Sequence, residues 1–228
     1  MNPWQHWIVR IKDAMKRRSY FYQVLGGSLF LFVALVINVH ANRYASAHAS
    51  GVVQDLFLNA LPMINLDNIY LEGYVILLSA IVLLAVYWPN KLPFLLKSIG
   101  LFVLIRSFFL VLTHLSVPLP AVNNGMYFPD HTLIQSLSGG DDLFFSGHTG
   151  LPFLMALAFW KNRYLRTAFL MTSIVFGASV LLAHVHYSID VFAAFFITYT
   201  IHDLAVFLFK KEHLLFLDDH ALPSLVKK

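Results

Sequence analysis

The sequence predicts an all-α integral membrane protein, a bundle of six transmembrane helices with both termini in the cytoplasm. Three observations lead there. Of its 228 residues, 58% are hydrophobic and 12% are charged, whereas about a quarter of a soluble domain is charged. The apolar residues gather into stretches close to the roughly 20 residues that carry a helix through the hydrocarbon core. The basic residues fall between those stretches, in alternate loops. A mean hydropathy of +0.68 calls for a solvent other than water. The net charge of +4 is dispersed along the chain, a membrane pattern with no nucleic-acid partner expected. Without cysteine, disulfides and thiolate metal sites are excluded. The sequence has no internal repeat and no low-complexity tract, and no soluble domain is expected at either end.

The elements follow in order. Residues 1–19 read as a basic cytoplasmic segment, and 20–40 as the first helix. Ala45, Ser46 and Ala47 after it resemble a signal-peptide cleavage site, but the apolar run exceeds the usual 7–15 residues, so a retained helix is expected. The second helix is expected at 69–88 and the third at 98–116. Pro89 and Pro93 break the chain between them, and Pro118 and Pro120 end the third. A short fourth helix is expected at 146–161, then 165–185 and 187–209, which nearly abut. Residues 20–209 are thus expected to form a six-helix transmembrane domain, and 210–228 a cytoplasmic tail. Most of these helices are apolar all round, as suits contact with lipid.

Orientation comes from the cations. Arg10, Lys12, Lys16, Arg17 and Arg18 precede helix 1, and Lys91 and Lys97 lie between helices 2 and 3. Lys161, Arg163 and Arg166 join helices 4 and 5; Lys210, Lys211, Lys227 and Lys228 follow helix 6. All fall on one side of the predicted bundle; the other has Arg43, with Asp55, Asp67, Asp130, Asp141 and Asp142 in its long loops. Positive residues stay cytoplasmic, so the opposite face is exoplasmic.

Three polar groups fall together at that exoplasmic face. His148 lies in Ser146–Gly147–His148–Thr149 at the outer start of helix 4, and His186 and Asp190 lie in HYSID at the outer start of helix 6. A spacing of i, i+4 puts both on one helix face. The aspartate can hold one imidazole nitrogen and leave the other as a nucleophile or base. A histidine from another helix can protonate a leaving oxygen. Ser146 and Gly147 open a helix whose free N–H groups suit a phosphate. Taken alone, HxxxD reads as a satisfied polar pair, and SGHT as an N-cap. Their coincidence in an apolar bundle marks a functional site, because intramembrane ionisable groups are costly. His184 faces away from His186 at i+2 on a helix, and no third ligand spacing is evident, so no metal is expected. Arg106 sits mid-helix in the third span and is expected to face the interior, holding a phosphate oxygen or pairing with a carboxylate. Glu72, near the outer end of helix 2, is a candidate for that partner, for a second acid or base, or for a solvated surface group.

These residues resemble the sphingomyelin synthase family, a branch of the type 2 phosphatidic acid phosphatase superfamily, as a compact member without the N-terminal soluble domain. Residues 142–149, DLFFSGHT, resemble the family's third motif, and residues 182–199, LAHVHYSIDVFAAFFITY, its fourth. The stretch from Arg106 through His114 to Pro118 resembles the end of the family's third helix; QDLF at 54–57 and Glu72 are weaker echoes. The resemblance implies a catalytic triad of His148, His186 and Asp190, with Asp142 and Glu72 as nearby acidic residues, six spans and an exoplasmic site. There are departures: Gly140–Asp141 replaces the family's cysteine–glycine, and Val185 stands where an acidic residue separates the paired histidines.

The family's reaction moves a phosphorylated head group from a glycerophospholipid to a ceramide and releases diacylglycerol; some relatives hydrolyse the donor instead. No cofactor is expected. The partners are then a membrane phospholipid and a lipid acceptor, with the oligomeric state open. The superfamily's other branch dephosphorylates phosphatidic acid or prenyl diphosphates with a lysine and two arginines around the phosphate. Here no Lys or Arg occurs between Arg106 and Lys161, and Val180 takes the place of an arginine before the second motif. This favours a phosphodiester donor, with a lipid phosphate phosphatase as the alternative. A non-enzymatic lipid-binding or transport protein is a further alternative, though the repeated halves common in transporters are absent.

Overall fold

The computed structural model describes residues 17–49, 51–66, 68–113, 115, 116, 118 and 144–218. Among these residues there are eight α-helices: α1 (Arg18–Ala47), α2 (Leu56–Ala60), α3 (Gly73–Tyr87), α4 (Leu92–Leu112), α5 (Gly147–Ala158), α6 (Arg163–Leu182), α7 (Ser188–Leu208) and α8 (Lys210–Leu217). A π-helical turn, Asn68–Glu72, runs into α3, and a 3-10 turn, Pro89–Lys91, joins α3 to α4.

Five stretches are long and apolar enough to cross a membrane: Arg18–Ala47, Asn68–Tyr87, Pro89–Leu112, Arg163–Leu182 and Ser188–Leu208. Their outward faces carry large apolar side chains such as Ile76, Leu83, Phe108, Phe196 and Phe207. In water such a surface aggregates; in hydrocarbon it is the natural exterior, because each helix satisfies its own backbone.

The third span starts earlier than the prolines suggest, at Leu92 instead of residue 98. Pro93 lies in the first turn of α4, where its missing N–H removes no helical hydrogen bond. Lys97 is therefore inside the helix, paired with Glu212 of α8. Residues 210–217, expected as part of a tail, form α8, which docks on the start of α4. There Lys91 Nζ donates to the Phe216 carbonyl (3.0 Å), and the rings of Phe94 and Phe216 stand 5.4 Å apart.

The expected fourth span is only partly helical. α5 has 12 residues, about 18 Å at 1.5 Å per residue, against a hydrocarbon core of about 30 Å. Its shortness has a geometric cause. Ser173 Oγ of α6 donates to the Thr149 carbonyl (2.7 Å), and a Cβ added to Gly177 would meet Thr149 Oγ1 at 3.2 Å. The start of α5 is thus level with Ser173–Gly177, while α6 runs on to Leu182. The chain descends to that depth through Phe144, Phe145 and Ser146, which are not helical. Non-helical backbone at such depth is tolerated where protein surrounds it, and both Phe145 and Ser146 are fully buried.

α5 is the central element. Gly150 lets it approach Phe102 of α4 and Thr198 of α7, either of which would stand 2.8 Å from an added Cβ. α1 packs along α4, with Gly100 against the ring of Phe30 and the Ser107 hydroxyl donating to Asn38 Oδ1 (3.2 Å). Small residues and interhelical hydrogen bonds are what hold helices together where lipid removes the hydrophobic drive.

The bundle has two chemically different ends. At one, Tyr20 Oη donates to the Pro89 carbonyl (2.8 Å), Asn90 Nδ2 to the Asp218 carbonyl (3.0 Å), and the rings of Phe159 and Phe216 are 5.2 Å apart. These contacts gather the helix ends that carry Arg18, Lys91, Lys161, Arg163 and Lys210. The opposite end gathers the histidine motifs.

Candidate active site

The site is built from helix beginnings. Ser146 caps α5: its Oγ accepts the Thr149 N–H (3.4 Å), and its own N–H donates to the Asp190 carbonyl (3.0 Å). That backbone bond ties the first histidine motif to the second. His148 is the second residue of α5, partly exposed, between two tyrosines of the neighbouring span. Its ring lies 4.7 Å from Tyr74 and 5.7 Å, edge-on, from Tyr70. Pro152 lacks the N–H that would bond the His148 carbonyl in a regular helix.

The second motif begins where α6 ends. The Val185 N–H donates to the Val180 carbonyl and the His184 N–H to the Leu181 carbonyl, the two bonds of a Schellman motif. His184 holds the left-handed position at φ 56°. The turn aims the chain back toward α7, with Tyr187 as its N-cap. His186 therefore precedes the helix, so the expected i, i+4 pair on one helix face is not how it meets Asp190. Asp190 is the third residue of α7 and reaches back over the helix start. Its Oδ2 accepts the Tyr187 N–H (3.0 Å), the returning half of a capping box. The same oxygen stands 3.5 Å from His186 Nδ1. Asp190 is fully buried and His186 nearly so. The two histidine rings lie 6.1 Å apart, edge to face.

Arg106 is buried and belongs to this cluster. Its Nε donates to the Phe145 carbonyl (3.0 Å), and a Cβ on Gly147 would lie 3.5 Å from that nitrogen. Phe145 has φ 28°, a conformation that costs on the order of 1–3 kcal/mol for a residue with a side chain. Arg106 thus braces a strained, non-helical carbonyl beside the two histidines and Asp190.

A bracket from the first long loop closes over the start of α7. Asp55 Oδ1 caps α2 by accepting the N–H groups of Phe57 (2.9 Å) and Leu58 (3.1 Å). Its Oδ2 accepts the Ser188 N–H at 2.6 Å. Tyr187 Oη donates to the Ser116 carbonyl (2.9 Å) and accepts the Val53 N–H (3.2 Å). Partial burial pushes the Asp55 carboxyl up, the bonds from Ser188, Leu58 and Phe57 pull it down, and the balance lies below its ordinary value.

His148, His186, Asp190, Ser146, Gly147 and Arg106 are therefore brought together. Glu72 is exposed at the start of α3. Tyr70 and Tyr74, which flank His148, are four apart, and Glu72 falls midway between them, away from that ring. Asp142 lies outside the described residues. Among the described residues, no three His, Cys, Asp or Glu side chains stand together as metal ligands. Sequence reasoning missed Tyr70, Tyr74 and Asp55 as parts of the site. The i, i+4 tyrosine pair at the outer end of a span and the aspartate of QDLF were the available signals.

Residues 140–207 match the family described as PAP2 superfamily C-terminal, a segment that contains both histidine motifs. No curated protein and no solved structure matches the chain.

Proposed function

We propose that this is a membrane-embedded phosphotransferase that moves a phosphorylated head group from a glycerophospholipid to a ceramide-like acceptor, or to water, and releases diacylglycerol. The observation that carries the proposal is the convergence of His148 and His186, with ring centres 6.1 Å apart and Asp190 Oδ2 3.5 Å from His186 Nδ1. Two imidazoles that close can act on one phosphorus. With Nδ1 turned to Asp190, Nε2 of His186 is the nucleophile. It attacks phosphorus; the N–P bond forms as the bond from phosphorus to the diacylglycerol oxygen breaks. His148, protonated for this step, gives its proton to that oxygen. An acceptor hydroxyl or water then attacks the phosphohistidine, His148 takes its proton, and the N–P bond breaks. Splitting the displacement suits imidazole, which is both a nucleophile and a leaving group.

The donor is a phosphodiester. Arg106 supplies one guanidinium, and no other Lys or Arg lies between it and Lys161 in the sequence; a single cation matches a phosphodiester monoanion better than a phosphomonoester dianion. Six crossings are proposed, with α5 and its non-helical approach as the fourth. The histidine end faces the exoplasmic side, since the basic residues lie at the other end and cations stay cytoplasmic. Head-group-labelled phosphatidylcholine, with and without ceramide, tests the reaction on purified protein. Diacylglycerol release is expected, and label transfer to ceramide identifies the transferase. Turnover of phosphatidic acid far above that of phosphatidylcholine means a lipid phosphatase instead, and no turnover of either rejects the enzyme.

A further inference from the structure

A groove of about 930 Å³ runs down the outside of the bundle between α3 and α6. The two helices run in opposite directions. They meet at the top, where a Cβ on Gly73 would press to 2.8 Å on the ring of Phe176, and they splay apart below. Leu77, Phe169 and Phe176 form the buried floor, and Ile76 and Leu83 stand exposed along one wall. Ala80 and Ala168 keep the middle open. Two hydroxyl-bearing residues line it: Thr172 spends its proton on the Ala168 carbonyl (2.9 Å), and Tyr87 stands at the foot, at the end of α3. No lining residue carries a charge, so the groove suits a methylene chain.

We propose that this groove holds an acyl chain of the donor glycerophospholipid during head-group transfer, an inference that rests on the function proposed above. Three observations favour a chain of the donor lipid as the occupant. The first is depth: Phe176 lies beside Ser173 and Gly177, which are level with Thr149 at the start of α5. A lipid whose phosphate reaches the recessed histidines therefore has its glycerol at the depth of the head of the groove. The second is adjacency, because Gly73 is followed by Tyr74, whose ring lies 4.7 Å from His148. His148 is the group that protonates the diacylglycerol oxygen, so the diacylglycerol half of the donor belongs on this side. The third is length. From Gly73 to Tyr87 the lining spans 14 helical steps, about 21 Å at 1.5 Å per residue, against about 15 Å for the acyl layer of one leaflet in a 30 Å core. A full-length acyl chain fits from the site downward.

Two measurements test it. The protein is reconstituted with phosphatidylcholine carrying a diazirine at the end of one acyl chain, and the photo-adducts are mapped. Adducts concentrated near the foot of the groove, at Leu84 and Leu165, support the proposal. Adducts spread evenly over other lipid-facing positions such as Phe196 and Phe207 mean surrounding bilayer lipid only and overturn it. The mapping needs no turnover, so it decides the groove even if the reaction proposed above fails. In active protein, Ala80→Phe with Ala168→Phe fills the groove. The ratio of turnover of a dioleoyl donor to that of a dihexanoyl donor should then fall by on the order of tenfold or more. An unchanged ratio, in a double variant that keeps the wild-type elution profile in detergent, overturns the proposal.

Discussion

In the reaction proposed here His148 and His186 act on one phosphorus in different roles, and their losses should differ. His186→Ala removes the nucleophile and should abolish both cleavage and the covalent intermediate. His148→Ala removes an acid, which should cost about 10²–10⁴ on the natural donor. It should matter far less for a nitrophenyl phosphodiester, whose leaving group needs no proton. Equal losses on both donors would remove His148 from the acid's position, and an acid-labile adduct trapped on His148 would exchange the two roles. Arg106 has two demands on it, since its Nε holds the Phe145 carbonyl (3.0 Å) beside the site. Arg106→Lys keeps the charge and loses the planar fork. We expect kcat/KM to fall about tenfold or more with the melting temperature little changed. A large fall in melting temperature with the activity of the surviving protein intact would make the arginine structural alone. The nearness of His148, His186 and Asp190 was legible in the sequence because SGHT and HYSID are local motifs whose placement needs only the count of spans between them. Tyr70 and Tyr74 were not, because their contact with His148 depends on how α3 packs. The nearness of His186 to Asp190 was read correctly, but its origin was not. The spacing suggested a helix face, whereas the structure has a residue before the helix met by a side chain reaching back.

Among the elements, α5 is the one whose length a hydropathy reading could not give. Its neighbours supply the apolar residues of a full span, but the chain through Phe144–Ser146 stays non-helical so that a helix can begin at the depth of the histidines. That depth comes from α6 and α7, through Ser173 and the Asp190 carbonyl, and such tertiary contacts leave no periodic trace. The start of α7 is fixed from outside as well, because Asp55 joins α2 to the Ser188 N–H. Asp55→Ala should remove the cap of α2, worth about 1 kcal/mol, and loosen the segment that carries His186. Activity should fall, while the melting temperature moves by only a few degrees. The pH response has a definite sign. The carboxyl titrates lower when folded than when unfolded, so its contribution is present in full above the unfolded value and is lost as pH falls through the folded one. The wild-type protein should therefore lose stability in acid, below the usual carboxylate range, more steeply than Asp55→Ala. Parallel stability profiles for the two proteins would show that the bracket contributes nothing.

At the scale of the whole molecule, the division of charge carries the topology. The five long apolar helices and the contacts that gather Arg18, Lys91, Lys161, Arg163 and Lys210 at one end make a bundle with a basic end and a histidine end. The five long apolar helices were legible in the sequence, since apolar runs are a one-dimensional signal. The docking of α8 on α4 was not, because Lys91 and Lys97 read as loop cations until their partners, the Phe216 carbonyl and Glu212, are in place. Burying Lys91 in that contact does not weaken the orientation argument. Moving a basic end across a bilayer would still require Lys161, Arg163, Lys210 and Lys211 to cross, and each charge at the centre of a span costs about 2.5–3.5 kcal/mol on the insertion scale. The chain has no cysteine, so single cysteines report position without background. Val52, exposed in the loop before Asp55, and Tyr164, 86% exposed at the start of α6, mark the two ends. In intact cells an impermeant maleimide should label Val52→Cys and leave Tyr164→Cys untouched until the membrane is opened. The opposite pattern would place the histidines in the cytoplasm, and labelling of both before lysis would mean that α5 and its non-helical approach do not complete a crossing.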